Sequence, residues 1–386
     1  MKWVNRGHEF DNYKDIFKKG KKLIIYGEGV KGKELFESIK FVDCVEGFID
    51  NSLEKQGKDY CGIPVFSVLD SRINPDRFIV VVTVDTEQNL LMQQMRTLGF
   101  RDGISLFNYS AFFDFYLPLY MWFGWGKVYF HSVGITLTTK CNFNCYGCLA
   151  FIPKNKFPTD YNCEMFLDSI DLLFKYVDHV DIFQLSGGET FLYKDQKVII
   201  DYIGEKYRER INHLYTTTNG SVMPSKELIE SLKKNCVTVI ADDYTKSVHE
   251  YKNKFSKNLS LLTSNGVQVF RNEVENWIDI TPLDQDDKHL SEDELIRYYG
   301  ACSQPWIELF EGKLYSCNYA NYAMRAKLID EDSNDYIDLS KGVDPVSLIE
   351  FRMGFTEKGY VDFCRLCNGY VAINNYKITP AVQVKR

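Results

Sequence analysis

The chain has 386 residues, a formal net charge of −7 and 15% aromatic residues. Such a length predicts more than one domain, and the aromatic content is typical of packed domains rather than of disorder. The acidic balance, without a run of basic residues, argues against nucleic acid as a partner.

The start of the chain predicts a cytoplasmic protein. Met1 to Arg6 contains no apolar segment of the kind that a signal peptide requires. Eleven cysteines in a chain that is not secreted favour metal sites over disulfides, because the cytoplasm is reducing. Four of these cysteines belong to no motif and are predicted to be simple buried thiols: Cys44, Cys61, Cys163 and Cys236.

A glycine-rich turn follows the first predicted strand. Strands at 21–26 and 45–49 flank a helix that ends at Ile39, and a G-x-G-x-x-G run opens that helix. This spacing permits a tight turn and lets phosphate groups approach the helix N-terminus, while an acid after the second strand can bind a ribose hydroxyl. The predicted ligand-binding residues here are Gly27, Gly29, Gly32 and Asp50.

The motifs that follow extend this pattern. Gly62-Ile63-Pro64-Val65 and a predicted strand at 79–84 occur in the order found in the N-terminal nucleotide-sugar-binding domain of sugar acyltransferases, which residues 20–108 resemble. The resemblance implies a Rossmann-like domain, assigned to residues 1–110, with a nucleotide or nucleotide sugar as its ligand. The alternatives are a Rossmann-like domain without a ligand and one that binds a nicotinamide cofactor.

A segment dense in aromatic residues, 111–130, comes next. Asp114, Pro118 and Lys127 interrupt it, and its uncharged stretch is too short to cross a bilayer, so no transmembrane segment is predicted. We expect an interdomain linker that buries its rings. A membrane-surface anchor or a dimer face is the alternative.

Three cysteines then fall within one short loop, directly after an apolar strand. Cys141, Cys145 and Cys148 have the spacing C-x-x-x-C-x-x-C. A 4Fe–4S cluster held by protein alone takes four cysteines, so a three-cysteine loop leaves one iron open to a small molecule. A zinc site with a fourth ligand from elsewhere is the alternative.

Two further strand ends carry polar or glycine-rich turns. The strand at 180–185 runs into Ser186-Gly187-Gly188-Glu189, where glycines allow close approach of the backbone and a carboxylate can accept hydrogen bonds. The strand at 211–218 ends at Asn219, which either faces a ligand or serves as a turn residue before Gly220.

Together the cysteine loop, the Gly-Gly-Glu turn and the third strand end resemble the radical S-adenosylmethionine (radical SAM) superfamily. The resemblance implies that the open iron binds the amino and carboxylate groups of SAM, that Gly187, Gly188 and Glu189 bind its ammonium group, and that Asn219 lies nearby. An electron donor such as flavodoxin or ferredoxin is also implied. The family usually has an aromatic residue where this chain has Gly147, so adenine packing is assigned to Tyr146, with Phe143 as an alternative.

The alternation of strands and helices agrees with the partial (β/α)6 barrel of that family, assigned to residues 131–290. Acids and amides such as Asp242 and Asn272 follow the fourth and fifth strands. The strands are predicted at 131–138, 180–185, 211–218, 236–241, 267–271 and 277–281, and the helices at 163–176, 195–206, 225–234 and 247–263.

Four cysteines remain in the last segment, residues 291–386. A hairpin is predicted around Glu311-Gly312-Lys313, between the first two of these cysteines. The arrangement resembles the SPASM domain, or its shorter twitch form, and implies one auxiliary 4Fe–4S cluster; a structural zinc ribbon is the alternative. The predicted ligands are Cys302, Cys317, Cys364 and Cys367.

The predicted fold is therefore α/β: a Rossmann-like domain, a radical SAM barrel and a small iron–sulfur domain. The predicted function is hydrogen abstraction from a sugar or nucleotide sugar, leading to dehydrogenation or epimerisation in polysaccharide biosynthesis. Peptide or protein modification is the first alternative. A non-catalytic scaffold that binds zinc and a nucleotide is the second. No residue that completes hydrogen transfer is predicted.

Overall fold

The computed structural model describes residues 1–280, 290–302 and 306–385, and the chain divides into two compact units. The first unit is residues 8–129, and the second combines residues 1–7 with 130–386. The aromatic segment predicted as a linker is thus almost wholly part of the first unit. The first seven residues, predicted in the N-terminal domain, lie in the second.

The first unit is built on a mostly parallel sheet with the strand order β3-β4-β2-β1-β5-β6. Only β3 runs antiparallel to its neighbour. All five residues of β5 are buried, as expected for a strand covered on both faces. The strands are β1 (Lys22–Tyr26), β2 (Val45–Ile49), β3 (Asp59–Tyr60), β4 (Ile63–Phe66), β5 (Phe78–Val82) and β6 (Leu106–Asn108).

Helices flank this sheet, and the glycine-rich turn joins β1 to the first of them. A Cβ atom on Gly32 would lie 1.9 Å from the carbonyl oxygen of Gly27, so only glycine lets the helix approach the turn this closely. The helices are α1 (Val30–Ile39), α2 (Gln88–Thr97), α3 (Tyr109–Ala111) and α4 (Leu117–Trp125), with a π-helical turn at Phe112–Tyr116 between the last two.

The second unit contains an eight-stranded sheet with the order β11-β10-β9-β8-β7-β13-β14-β15 and a separate pair, β12 and β16. Its strands are β7 (Tyr129–Thr136), β8 (His179–Ser186), β9 (Ile211–Thr218), β10 (Thr238–Asp243), β11 (Gln268–Glu273), β12 (Trp277–Ile278), β13 (Ile307–Phe310), β14 (Lys313–Tyr315), β15 (Tyr336–Asp338) and β16 (Lys377–Ile378). Its helices are α5 (Cys163–Tyr176), α6 (Gln196–Lys206), α7 (Lys226–Lys234), α8 (Lys252–Ser264), α9 (Glu292–Ala301), α10 (Asn318–Arg325) and α11 (Pro345–Arg352).

The first five predicted strands of this unit are present and form the parallel part of the sheet, alternating with α5 to α8. The mixed α/β class is therefore confirmed. Asn162 begins α5 where predicted, because its side chain accepts a hydrogen bond from the backbone N–H of Glu164. The hairpin of β13 and β14 is also present, and Glu311 and Gly312 have the positive φ angles of a tight hairpin turn.

The sixth predicted strand, 277–281, is wrong as a barrel strand. Its described part, β12, is two residues long and pairs antiparallel with β16 instead of extending the sheet beyond β11; residue 281 lies outside the described residues. On the other side of β7 from β8, β13 runs parallel to β7 and places Glu308 opposite Gly134. The apolar pattern of 277–281 identified an extended segment but not its pairing partner, which lies about a hundred residues further along the chain.

Two of the four unassigned cysteines contradict their predicted burial. Cys44 is buried and Cys163 is half-buried, whereas Cys61 and Cys236 are exposed. Both exposed cysteines occupy turns with positive φ, and such turns lie at the surface. Within the described ranges, no helix has both the length and the apolarity needed to span a bilayer.

Candidate active site

The three cysteines of the loop after β7 border one cavity of about 430 Å³ in the second unit. The cavity lies at the carboxyl ends of β8 to β11, where parallel strands direct their terminal residues and loops toward a common site. Besides the three thiols, its lining includes Gly187, Gly188, Thr218, Asn219, Asp242 and Asn272. The structure therefore brings together most of the residues predicted to bind the cluster and SAM.

The cysteine sulfurs receive hydrogen bonds from the surrounding chain. The backbone N–H of Phe143 donates to Cys141 Sγ at 3.4 Å, and Gln383 Nε2 donates to Cys145 Sγ at 3.1 Å. Burial raises the pKa of both thiols to about 12, so they ionise in this place only beside a positive charge. Thiols that are buried, grouped and aimed at by N–H groups fit an iron–sulfur cluster.

The Gly-Gly-Glu turn after β8 seats the cysteine loop. A Cβ atom on Gly188 would lie 2.3 Å from the carbonyl oxygen of Lys140, directly before the first cysteine. Two backbone hydrogen bonds join the segments, from Gly188 N to Thr138 O at 2.8 Å and from Glu189 N to Lys140 O at 2.9 Å. The glycine thus allows two backbone segments to touch, a contact that the sequence motif alone did not indicate.

Glu189 connects the ends of β8 and β9. Its side chain is buried and accepts hydrogen bonds from Thr218 Oγ1 at 2.7 Å, from Asn219 N at 2.8 Å and from Phe191 N at 3.1 Å. Burial raises its pKa to about 7 despite these donors. Glu189 positions Asn219, while its predicted contact with SAM stays a prediction.

The packing of Tyr146 on adenine stays a prediction, because the structure shows only where its side chain lies. Its side chain is 48% exposed, outside the cavity lining, and its hydroxyl lies 3.4 Å from Asp279 Oδ2. Phe143 is buried and lines the cavity. At the neighbouring Gly147, φ is +64° and a Cβ atom would lie 2.1 Å from Ile378 Cδ1, so β16 packs where a side chain would stand.

The end of the chain covers the cysteine loop, a contact that the sequence did not predict. Tyr146 N donates to Val382 O at 2.7 Å, and Val384 N donates to Asn144 O at 2.8 Å. This pairing brings the Gln383 side chain to Cys145. No local motif marks Gln383, because its partner lies 238 residues earlier in the chain.

The four later cysteines form a second group within the same unit. Cys302 follows α9, Cys317 caps α10, and the other two lie in and directly after a short 3₁₀ helix at Asp362–Arg365. Cys317, Cys364 and Cys367 pack in one apolar cluster, and burial raises the pKa of the Cys317 thiol to about 12. Gly369 N donates to Cys367 Sγ at 3.2 Å. The ligand role predicted for these four cysteines stays a prediction.

Neither cysteine group is arranged around a point. Within the residues that the structure describes, no three His, Cys, Asp or Glu side chains converge closely enough to hold a single metal ion.

In the first unit, Asp50 lies beside the glycine-rich turn, as predicted. Its carboxylate accepts hydrogen bonds from Glu28 N at 3.1 Å, Ser52 N at 2.9 Å and Lys55 Nζ at 2.9 Å. These bonds outweigh the effect of burial and lower the pKa of Asp50. A larger cavity of about 840 Å³ lies elsewhere, at the amino ends of β1 and β5, and Gly27, Gly29, Gly32 and Asp50 do not line it.

Comparison with known proteins identifies the class. Residues 135–258 match the family described as the radical SAM superfamily. The second unit therefore contains a radical SAM domain, and the protein is an enzyme. A non-catalytic scaffold, one of the alternatives, is thereby contradicted.

Individual relatives are similar over short stretches. The antilisterial bacteriocin subtilosin biosynthesis protein AlbA of Bacillus subtilis is 28% identical over 143 residues, covering 34% of this chain and 30% of AlbA. GTP 3',8-cyclase of Campylobacter jejuni is 33% identical over 104 residues, covering 26% of this chain and 30% of the cyclase. The chain thus spans less than a third of the length of each of these curated relatives.

The solved structures that match this chain include two that hold bound ligands. The structure of anSMEcpe with bound AdoMet has a TM-score of 0.42 and 14% identity, covering 61% of this chain and 88% of that one. The structure of BtrN with AdoMet and 2-DOIA has a TM-score of 0.39 and 14% identity, covering 64% and 98%.

The contact between the two loops can be tested with Gly188→Ala. We expect a loss of about 3 kcal/mol in the free energy of unfolding, because the added methyl group meets a backbone oxygen that cannot move without displacing the cysteine loop. Urea unfolding of the second unit measures this. Gly300→Ala in α9 is the control, since its Cβ would meet no atom within 4 Å and alanine favours a helix. Equal stability of the two variants would contradict this account of the turn.

Proposed function

We propose that this protein cleaves SAM reductively at a 4Fe–4S cluster held by Cys141, Cys145 and Cys148, and removes a hydrogen atom from a substrate in the same cavity. The observation that carries this proposal is the shared cavity itself. The buried Cys145 and the half-buried Cys141 and Cys148 border it, and all three lie within the matched residues. When bound, such a cluster supplies the electron that releases the 5′-deoxyadenosyl radical from SAM.

Other residues of the chain bind SAM and form the walls of the cavity. The backbone at Gly187 and Gly188 borders the cavity and offers carbonyl groups to the ammonium group of SAM. Asn219, held by Glu189, contributes an amide on the same wall. Phe143 provides the aromatic surface for adenine that we assigned to Tyr146 from the sequence. Buried aromatic neighbours such as Tyr251, whose ring lies 5.1 Å from that of Phe143, keep this wall closed to water.

We further propose that Cys302, Cys317, Cys364 and Cys367 hold an auxiliary 4Fe–4S cluster. Support comes from the packing of Cys317, Cys364 and Cys367 in one apolar cluster with Tyr299 and Tyr319, and from the hydrogen bond that Gly369 N donates to Cys367 Sγ. Four thiolates complete the coordination of such a cluster, so it would leave no iron open.

For the substrate, we propose a sugar or the sugar part of a nucleotide sugar, which the enzyme dehydrogenates or epimerises. The support is the first unit, where the glycine-rich turn leaves the N-terminus of α1 without a capping side chain and places Asp50 next to it. Peptide modification is the second candidate, favoured by the similarity to a bacteriocin biosynthesis protein. A flavodoxin or ferredoxin donor and a cytoplasmic location also remain proposals.

Cys145→Ala tests the central proposal. The wild-type protein, reconstituted anaerobically, should bind about eight irons per chain and release 5′-deoxyadenosine when reduced with SAM. The variant should keep about four irons, because the auxiliary cysteines are untouched, and should release none. Cys236→Ala, which removes an exposed thiol outside both groups, is the control. A wild-type protein that binds only zinc would contradict the proposal.

Gln383→Leu tests the sulfur hydrogen bond at Cys145. An N–H donor stabilises the more negative, reduced state of a cluster, so its loss should lower the midpoint potential. A neutral hydrogen bond contributes about 1 kcal/mol, which corresponds to roughly 40 mV for a one-electron couple. Potentiometric titration followed by electron paramagnetic resonance measures this. An unchanged potential would show that the amide does not reach the sulfur once the cluster is bound.

Asp50→Asn tests the ligand of the first unit. A nucleotide sugar should raise the thermal midpoint of the wild-type protein more than a nicotinamide nucleotide does, and the variant should lose the shift. Asp59→Asn is the control, because Asp59 is an exposed acid of the same unit. A ligand-induced shift that survives in Asp50→Asn would mean that Asp50 does not contact the ribose.

A further inference from the structure

A buried carboxylate, Glu308, lies in the wall of the active-site cavity and has no role in holding the cysteines. It belongs to β13, the strand that lies between β7 and β14 in the sheet and runs parallel to β7. Its side chain has 0% exposure, and it lines the same cavity as the three thiols of the loop. The structure thus places a carboxylate from the last third of the chain in the same cavity as the cysteine loop.

The hydrogen-bonding capacity of Glu308 is only partly used. Tyr322 donates to Oε2 over 3.4 Å, a long bond, whereas Oε1 accepts no hydrogen bond from any described residue. Arg325 is the nearest cation, with Nη1 3.5 Å from Oε1. A buried carboxylate normally accepts several short hydrogen bonds, because an unsatisfied buried oxygen has lost its hydration without replacement.

Arg325 is not oriented to satisfy Glu308. Its Nη2 donates to Thr136 O at 2.7 Å and its Nε donates to Tyr161 Oη at 3.0 Å. The guanidinium is also held between the rings of Tyr161 and Phe310, with centroid distances of 4.0 and 4.3 Å. These contacts fix Arg325 from other sides, so it compensates the charge of Glu308 without using up Oε1.

The place of the carboxylate depends on Gly134. A Cβ atom at this position would lie 2.9 Å from Glu308 Oε2. The absence of a side chain at Gly134 therefore leaves room for the carboxylate beside β7. Burial raises the pKa of Glu308 to about 7, opposed by the charge of Arg325 and by contacts with Thr136 and Tyr322.

The rest of the cavity indicates which ligand would complete Glu308. Asn318 Oδ1 is a second buried acceptor on this wall without a hydrogen bond from the described residues. Asp242 adds another carboxylate. Among the described residues that line the cavity, none is a lysine, arginine or histidine. Unused acceptors and carboxylates favour a ligand that brings donors and carries no negative charge into the cavity.

We propose that Glu308 is a substrate-binding residue whose Oε1 accepts a hydrogen bond from a hydroxyl or amino group of the substrate. The reacting part of the substrate is then a neutral or cationic polyhydroxylated compound, such as an amino sugar, rather than a phosphorylated one. This inference rests on the proposed function, since it assigns the substrate class of that same cavity.

The test compares three matched probes on the anaerobic holoenzyme with SAM: D-glucosamine, D-glucose and D-glucose 6-phosphate. Binding is followed by thermal shift and titration calorimetry. We expect D-glucosamine to bind best and the phosphate not to bind. In Glu308→Gln, the Kd for D-glucosamine should rise at least about ten-fold, because a charge-assisted hydrogen bond is lost. Glu311→Gln, on the exposed turn of the same hairpin, should bind like the wild type.

Gly134→Ala keeps the carboxylate but pushes it out of place, and it should weaken D-glucosamine binding like Glu308→Gln. If Glu308→Gln fails to retain iron, D-glucosamine binding to Gly134→Ala tests the inference instead. The inference is overturned if no probe binds the wild type, if Glu308→Gln binds D-glucosamine equally well, or if the phosphate binds as tightly. Release of 5′-deoxyadenosine without any probe reports separately on the proposed function, so its absence there would refute that proposal rather than this one.

Discussion

The candidate site depends on one contact between two backbones. The cysteine loop can lie against the end of β8 only because Gly188 has no side chain, and two short hydrogen bonds then hold Lys140 and Thr138 against the turn. A glycine at such a position gives up conformational entropy in folding, a cost that is offset only where the close approach itself is needed. This close approach places the three thiols at the carboxyl ends of the parallel strands.

Glu189 and Glu308 are both buried acids, but their surroundings assign them different tasks. Three donors at 2.7–3.1 Å surround Glu189, so its oxygens are committed to joining the ends of β8 and β9. Among the described residues, Glu308 accepts one hydrogen bond, a long one from Tyr322, and faces an arginine that other groups hold in place. An acid that its own protein satisfies supports the fold, whereas one left partly unsatisfied at a cavity retains capacity for a ligand.

Local patterns predicted what local forces determine. The bounds of β9 and α5 follow from side-chain periodicity and from the capping residue Asn162, and the hairpin at Glu311 follows from turn residues. The grouping of the cysteines is likewise signalled by their spacing. These features need only a few neighbouring residues to form, so a single sequence carries the information.

Long-range pairings were out of reach for the same reason. The C-terminal segment folds back over the cysteine loop. This explains the partner of β12, the surroundings of Tyr146 and the approach of Gln383 to Cys145. The sequence shows that Gly147 departs from the family pattern, whereas the structure shows that this glycine makes room for Ile378. Likewise, Glu308 reads as an ordinary strand residue until β13 is known to pair with β7.

That pairing also bears on what the enzyme accepts. Residues of the radical SAM domain form one wall of the cavity, whereas β13 and α10, outside the matched residues, contribute Glu308, Asn318 and Tyr322 to another. If the first wall positions SAM, the residues of the second wall can change to suit a different substrate without disturbing the thiols. A carboxylate fixed by Gly134 and balanced by Arg325 discriminates through the charge of the ligand, because an anion brought beside it would lose hydration and gain repulsion at the same time.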